Sequence, residues 1–79
     1  MASNELEMYT VYFSPTDYPG EYVVRRWIAN GQPDPIPDKK LFMRSVSFHE
    51  IREKLEGEMH LYFMNRDQAD DPAIVGTFI

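Results

Sequence analysis

The stretch that most constrains this chain is Ser47-Phe48-His49-Glu50, a capping box that opens its one helical pattern. The Ser47 hydroxyl is placed to accept from the Glu50 amide, and the Glu50 carboxylate to reach back to the Ser47 amide. Val46 and Ile51 stand where a hydrophobic staple closes. Phe48, Ile51 and Leu55 recur at helical spacing, which turns Glu50, Glu53, Lys54 and Glu56 towards water. Gly57 supplies the C′ stop, so the pattern predicts a helix over Phe48–Glu56. A helix of about nine residues does not hold in water alone. It has to dock, and the rest of the chain offers strands for it to dock on.

Met8 to Phe13 alternates β-branched and aromatic residues, with Tyr9, Val11 and Phe13 on one face and Met8, Thr10 and Tyr12 on the other. Pro19-Gly20 suits the centre of a type II turn, because Pro presets φ and Gly accepts a positive one. Glu21 to Ile28 then forms a hairpin with the first strand. Between Ala29 and Lys40, Asn30-Gly31 signals a tight turn, and Pro33, Pro35 and Pro37 remove backbone donors. That segment reads as a stiffened loop crossing one end of the sheet. Further strands follow at Leu41–Val46, Glu58–Met64 and Ala73–Ile79. The order β-β-β-α-β-β predicts an α+β fold: an antiparallel sheet of four to five strands with one short helix on one face. Its expected core is Val11, Phe13, Val24, Phe48, Ile51, Leu55, Leu61 and Phe63, with Ile74 or Val75. The last strand is expected at an edge, where unpaired backbone invites a homodimer.

Seventy-nine residues make a single domain, expected over residues 8–79, with 1–7 a disordered or vector-derived lead. A chain of this size has a thin core. The absence of cysteine excludes disulfides and Cys-based zinc sites. Bulk comes instead from five Phe, five Tyr and one Trp. The net charge of −5, from 13 acids and 8 bases, disfavours non-specific binding to nucleic acid or anionic membrane. No apolar run approaches the length of a transmembrane helix, and residues 1–8 lack the pattern of a signal peptide. A cytoplasmic location is the expectation.

Familiar catalytic signatures do not assemble. His49-Glu50 is half of a zinc-protease motif, but position 53 is Glu rather than the second His, and His60 is the only other histidine. Asp67, Asp70 and Asp71 offer oxygen ligands without the spacing of an EF-hand, and Asp70-Asp71-Pro72 has a plainer use in launching the last strand. No nucleophile elbow, P-loop or dinucleotide fingerprint occurs. The expectation is a protein that is not an enzyme and needs neither cofactor nor metal.

Tyr22-Val23-Val24-Arg25-Arg26-Trp27 is the segment that suggests a surface. Strand alternation puts Arg25 and Trp27 on one face and Tyr22, Val24 and Arg26 on the other. Together with Tyr12, Tyr62 and Arg44 these residues form an aromatic–basic set, suited to a protein hot spot or to stacking on single-stranded bases. The plainer reading is packing, with arginine stems laid over rings. The binding expectation names Tyr12, Tyr22, Arg25, Arg26, Trp27 and Tyr62. Another protein is the favoured partner, with single-stranded nucleic acid the alternative and, behind it, a small enzyme using His60 or His49 with the Asp67–Asp71 loop.

In outline the chain resembles small bacterial and phage-associated proteins of uncharacterised role. The resemblance rests on Tyr9-Thr10-Val11-Tyr12, Tyr18-Pro19-Gly20, Tyr22-Val23-Val24-Arg25-x-Trp27, Ser47-x-x-Glu50 with Arg52, and Asp70-Asp71-Pro72-x-Ile74-Val75. It implies no activity, substrate or cofactor.

Overall fold

Alternating apolar side chains build two long strands, β1 (Leu6–Phe13) and β2 (Tyr22–Ala29), in a computed structural model that describes residues 6–29, 36–37, 40–67 and 71–79. They pair as an antiparallel hairpin with Val11 opposite Val24 and Met8 opposite Trp27. The turn between them has the expected chemistry: the Glu21 amide donates to the Tyr18 carbonyl at 3.3 Å, and Gly20 takes φ +78°. β3 (Ile36–Pro37) and β4 (Met43–Ser45) lie one after the other along the outer edge of β2. β5 (Phe63–Asn65) and β6 (Ile74–Phe78) complete the sheet on the far side of β1. Six segments thus fill five positions, β3/β4–β2–β1–β6–β5, all antiparallel. The result is an α+β fold in β-β-β-α-β-β order, with the two-residue β3 as a supplement to the third strand.

Several boundaries differ from the sequence reading. β1 starts at Leu6 rather than Met8, because Leu6 and Glu7 pair with Ala29 and Ile28. Of the proline-rich loop, Pro37 sits on the sheet edge, where a missing donor is tolerated; Asn30, Gly31, Pro33 and Pro35 lie outside the described residues. β5 is shorter than Glu58–Met64, since Glu58 belongs to the helix. The last strand is not an edge: β6 lies between β1 and β5, and β5 takes the outer place.

The helix begins as its cap foretells and ends differently. Helix α1 (Phe48–Arg52) is capped by the Ser47 hydroxyl, which accepts from the Glu50 amide at 3.4 Å. The reciprocal half of the box is replaced: the Ser47 amide donates to the Ser45 hydroxyl at 3.0 Å. Val46 is 76% exposed and forms no staple. Beyond Arg52 the helix continues as a π turn (Glu53–Glu58), with Gly57 inside it rather than at C′. The Met59 amide reaches back to the Lys54 carbonyl and that of Leu61 to Leu55, each one residue wider than the α-helical equivalent. The wider turn brings Met59 and Leu61 onto the core, and His60 takes the left-handed cap at φ +58°.

The core lies between this helix and one face of the sheet. Tyr9, Val11, Val24 and Phe78 meet Ile51 and Leu55, and each fully buried aliphatic side chain contributes about 1.5–3 kcal/mol. Phe48, Leu61, Phe63 and Val75 close the margin, so Val75 rather than Ile74 joins it. Phe13, expected in the core, is 45% exposed. It is the outer end of a chain of rings, Phe13–Tyr22–Phe48–Phe63–Phe78, with successive centroids 4.7, 5.4, 5.9 and 4.9 Å apart. No helix among the described residues is long and apolar enough to cross a membrane.

Gly76 sits at a close approach within the sheet. It faces Val11 across the ladder, and the Phe63 ring lies over it. A Cβ there would stand 2.5 Å from the Met64 carbonyl oxygen and from Phe63 Cε1. Gly76→Ala is therefore expected to destabilise the fold by about 1–3 kcal/mol, through overpacking against backbone that cannot yield. Urea denaturation checks this, and an unchanged midpoint would refute it.

Candidate functional site on the open face of the sheet

Since the helix covers one face of the sheet, the side chains that alternate away from it make up the other. Its composition follows from the register. Tyr62 and Ile79 exchange both backbone hydrogen bonds, at 2.7 and 3.0 Å, and Met8 stands opposite Trp27. Continuing the β1–β6 register puts Ile79 beside Met8. Tyr62, Ile79, Met8 and Trp27 therefore place four uncharged side chains in one row across β5, β6, β1 and β2. Tyr62 is 79% exposed, Ile79 lies open at the chain end, and Met8 and Trp27 are half-buried. The next row is Met64, Thr77, Thr10 and Arg25, with the two threonine hydroxyls 3.5 Å apart and Met64 52% exposed.

The third row, with Tyr12, Val23 and Arg44, is covered by the chain itself. Val23 faces away from the helix yet is wholly buried. The β1–β2 loop folds back over it: Asp17 pairs with Arg25 at 3.6 Å, Glu21 with Arg44 at 3.7 Å, and the Arg44 guanidinium lies 4.7 Å from the centre of the Tyr18 ring. Ser14, at φ +53°, shapes the loop by accepting from the Gly20 amide at 3.0 Å.

The six residues singled out by sequence divide between the faces. Tyr12, Arg25, Trp27 and Tyr62 are on the open face. Tyr22 and Arg26 are on the helix face, where Tyr22 belongs to the ring chain. Arg26 stands opposite Tyr9 and holds the Glu7 carboxylate, which also accepts from the Tyr9 hydroxyl at 3.2 Å. The Arg26 hydrogen bond holds the Glu7 carboxyl below the usual carboxylate value, against a smaller opposing push from desolvation. Burial raises the Tyr9 phenol, and the Glu7 charge adds to it.

Neither histidine joins a site. His49 is exposed on the helix and pairs with Glu53 at 3.0 Å over a shallow depression lined by Arg52, Glu56 and Gly57. His60 is exposed at the helix end. No group of three or more metal-ligating side chains gathers among the described residues. Asp70 lies outside them, and Asp71 turns the chain into β6 by accepting from the Ala73 amide at 2.9 Å.

Met8, Met64 and Ile79 are part of this surface and were not singled out from sequence. Alternation in β1 and β5 carries the signal for both methionines, but only the pairing register joins them to Ile79 and Trp27. The Trp27 indole nitrogen is buried and donates no hydrogen bond to any described residue. An unsatisfied donor costs about 1–3 kcal/mol.

Trp27→Phe, which removes that donor, is accordingly expected to leave stability equal or higher, measured by chemical denaturation; a loss of more than about 1 kcal/mol, as for an ordinary large-to-small change, would contradict this. A second expectation concerns acid. Because Glu7 is depressed, its contribution is fully present above about pH 4.5 and is lost as pH falls through its lower folded value. The stability gap between wild type and Glu7→Gln should shrink below that pH in a denaturation series, and a gap that persists or widens would be the wrong sign.

No family model, curated protein or solved structure matches this chain.

Proposed function

We propose that this chain is a non-enzymatic binding module that meets another protein through the open face of its sheet. The observation that carries the reading is the row of uncharged side chains Tyr62–Ile79–Met8–Trp27, in a chain in which 27% of residues are charged. Aromatic residues and methionine are the types enriched at protein interfaces, where charge is depleted at the centre. The Thr10–Thr77 pair beside the row supplies hydroxyls for orientation. The single-stranded nucleic-acid reading finds less support. Arg25, Arg26 and Arg44 each already pair with a carboxylate, which leaves these three less charge with which to displace counterions.

The test is capture from native host lysate by wild type, by Tyr62→Ala/Met64→Ala and by Arg25→Ala, each verified as folded by circular dichroism. Wild type and Arg25→Ala should hold the same partner, with the double variant weaker by about tenfold or more, as for loss of a hot spot. A partner retained undiminished by the double variant would refute the site. Binding lost in Arg25→Ala alone would return the arginine-centred reading.

A further inference from the structure

The outer edge of the sheet at β5 has the geometry to receive one particular partner. Tyr62 spends both its amide and its carbonyl on Ile79. Antiparallel ladders alternate, so Met64 turns its backbone groups to Thr77, and those of Phe63 and Asn65 point away from β6. None of the turn, loop or cap hydrogen bonds among the described residues reaches them. One step earlier in the same alternation, the outward Leu61 amide is taken by the Leu55 carbonyl at the helix end, at 2.9 Å. The edge is therefore closed at Leu61 and open at Phe63 and Asn65. Its three residues include no proline and no charge, and its register has no bulge, so of the usual guards of an edge strand it has only its shortness.

We propose that this opening is filled by β5 of a second copy, paired antiparallel about a two-fold axis at Met64. The proposal rests on the reading of this surface as a protein-binding one and names the partner. Of the registers about a two-fold, the one centred on Met64 matches both open residues with both of the other copy's: Phe63 with the partner's Asn65, and Asn65 with the partner's Phe63. Centring on Phe63 would call on Leu61, whose amide is spent. The same register sets Tyr62 opposite the partner's Arg66 on the open face. Tyr62 is the most exposed aromatic ring among the described residues. Arg66 is the one described arginine with no carboxylate partner, its guanidinium donating to the Asp67 carbonyl at 3.4 Å. A guanidinium facing a tyrosine ring is a favourable cross-strand pair, made here once on each side of the axis. The axis runs perpendicular to the sheet, so the two open faces come to lie on one side as a single surface.

Sedimentation of the full chain over a range of concentrations tests this, with circular dichroism to establish that each variant is folded. Wild type should pass from the 9.3 kDa monomer towards twice that mass as concentration rises. Met64→Lys and Met64→Glu each place like charges opposite one another at the axis, and each alone should remain monomeric. An equimolar mixture sets Lys against Glu and should recover the dimer. A wild type that stays monomeric throughout overturns the proposal, as do variants that still dimerise alone or a mixture that fails to associate. If wild type is monomeric and the Tyr62→Ala/Met64→Ala variant nonetheless loses a captured protein, the second copy is rejected and the binding reading stands.

Discussion

Everything in this molecule depends on the docking of a helical segment too short to persist by itself. Ile51 and Leu55 carry it onto Tyr9, Val11, Val24 and Phe78, and the ring chain from Phe13 to Phe78 spreads the contact over strands on both sides of β1. The π turn belongs to the same requirement. By taking in one extra residue it lets Met59 and Leu61 follow Leu55 onto the core before the chain enters β5. The Arg52 guanidinium, 5.9 and 5.7 Å from the Phe48 and Phe63 ring centres and paired with Glu56, seals the outer margin of that contact.

Committing the helix to one face leaves the other to be managed by different means. At one end the β1–β2 loop ties back to the arginines on either side of the buried Val23, Asp17 to Arg25 and Tyr18 to Arg44. At the opposite end nothing comparable among the described residues lies over Tyr62 and Met64. A small domain buries less of its apolar surface than a large one, and a contiguous exposed remainder marks a candidate interaction site. The surface proposed for binding is thus the complement of the core: what the helix and the loop leave uncovered.

Much of the local structure was legible in the sequence, because it is decided by residues close together in the chain. Pro19-Gly20 makes its turn since only glycine adopts φ +78° without strain. Ser47 caps its helix because a hydroxyl lies within reach of the Glu50 amide. The alternation in β1 and β2 sorted Arg25 and Trp27 from Val24 and Arg26 correctly, since a strand has only two faces. Local signals failed where a competitor stood nearby in space. The Ser45 hydroxyl displaced Glu50 from the capping box, and a packing demand moved the helix stop from Gly57 to His60.

The sequence by itself determined the class of fold, its capped helix, its main turns and the exclusion of cysteine chemistry, because each follows from composition or from neighbours a few positions apart. Only the tertiary structure decided which strand is interior and which is edge, that each arginine of β2 meets a carboxylate, and that Tyr62, Ile79, Met8 and Trp27 stand in one row. Those outcomes depend on register between segments far apart in the chain. A one-residue slip there would exchange the faces while leaving every local pattern intact.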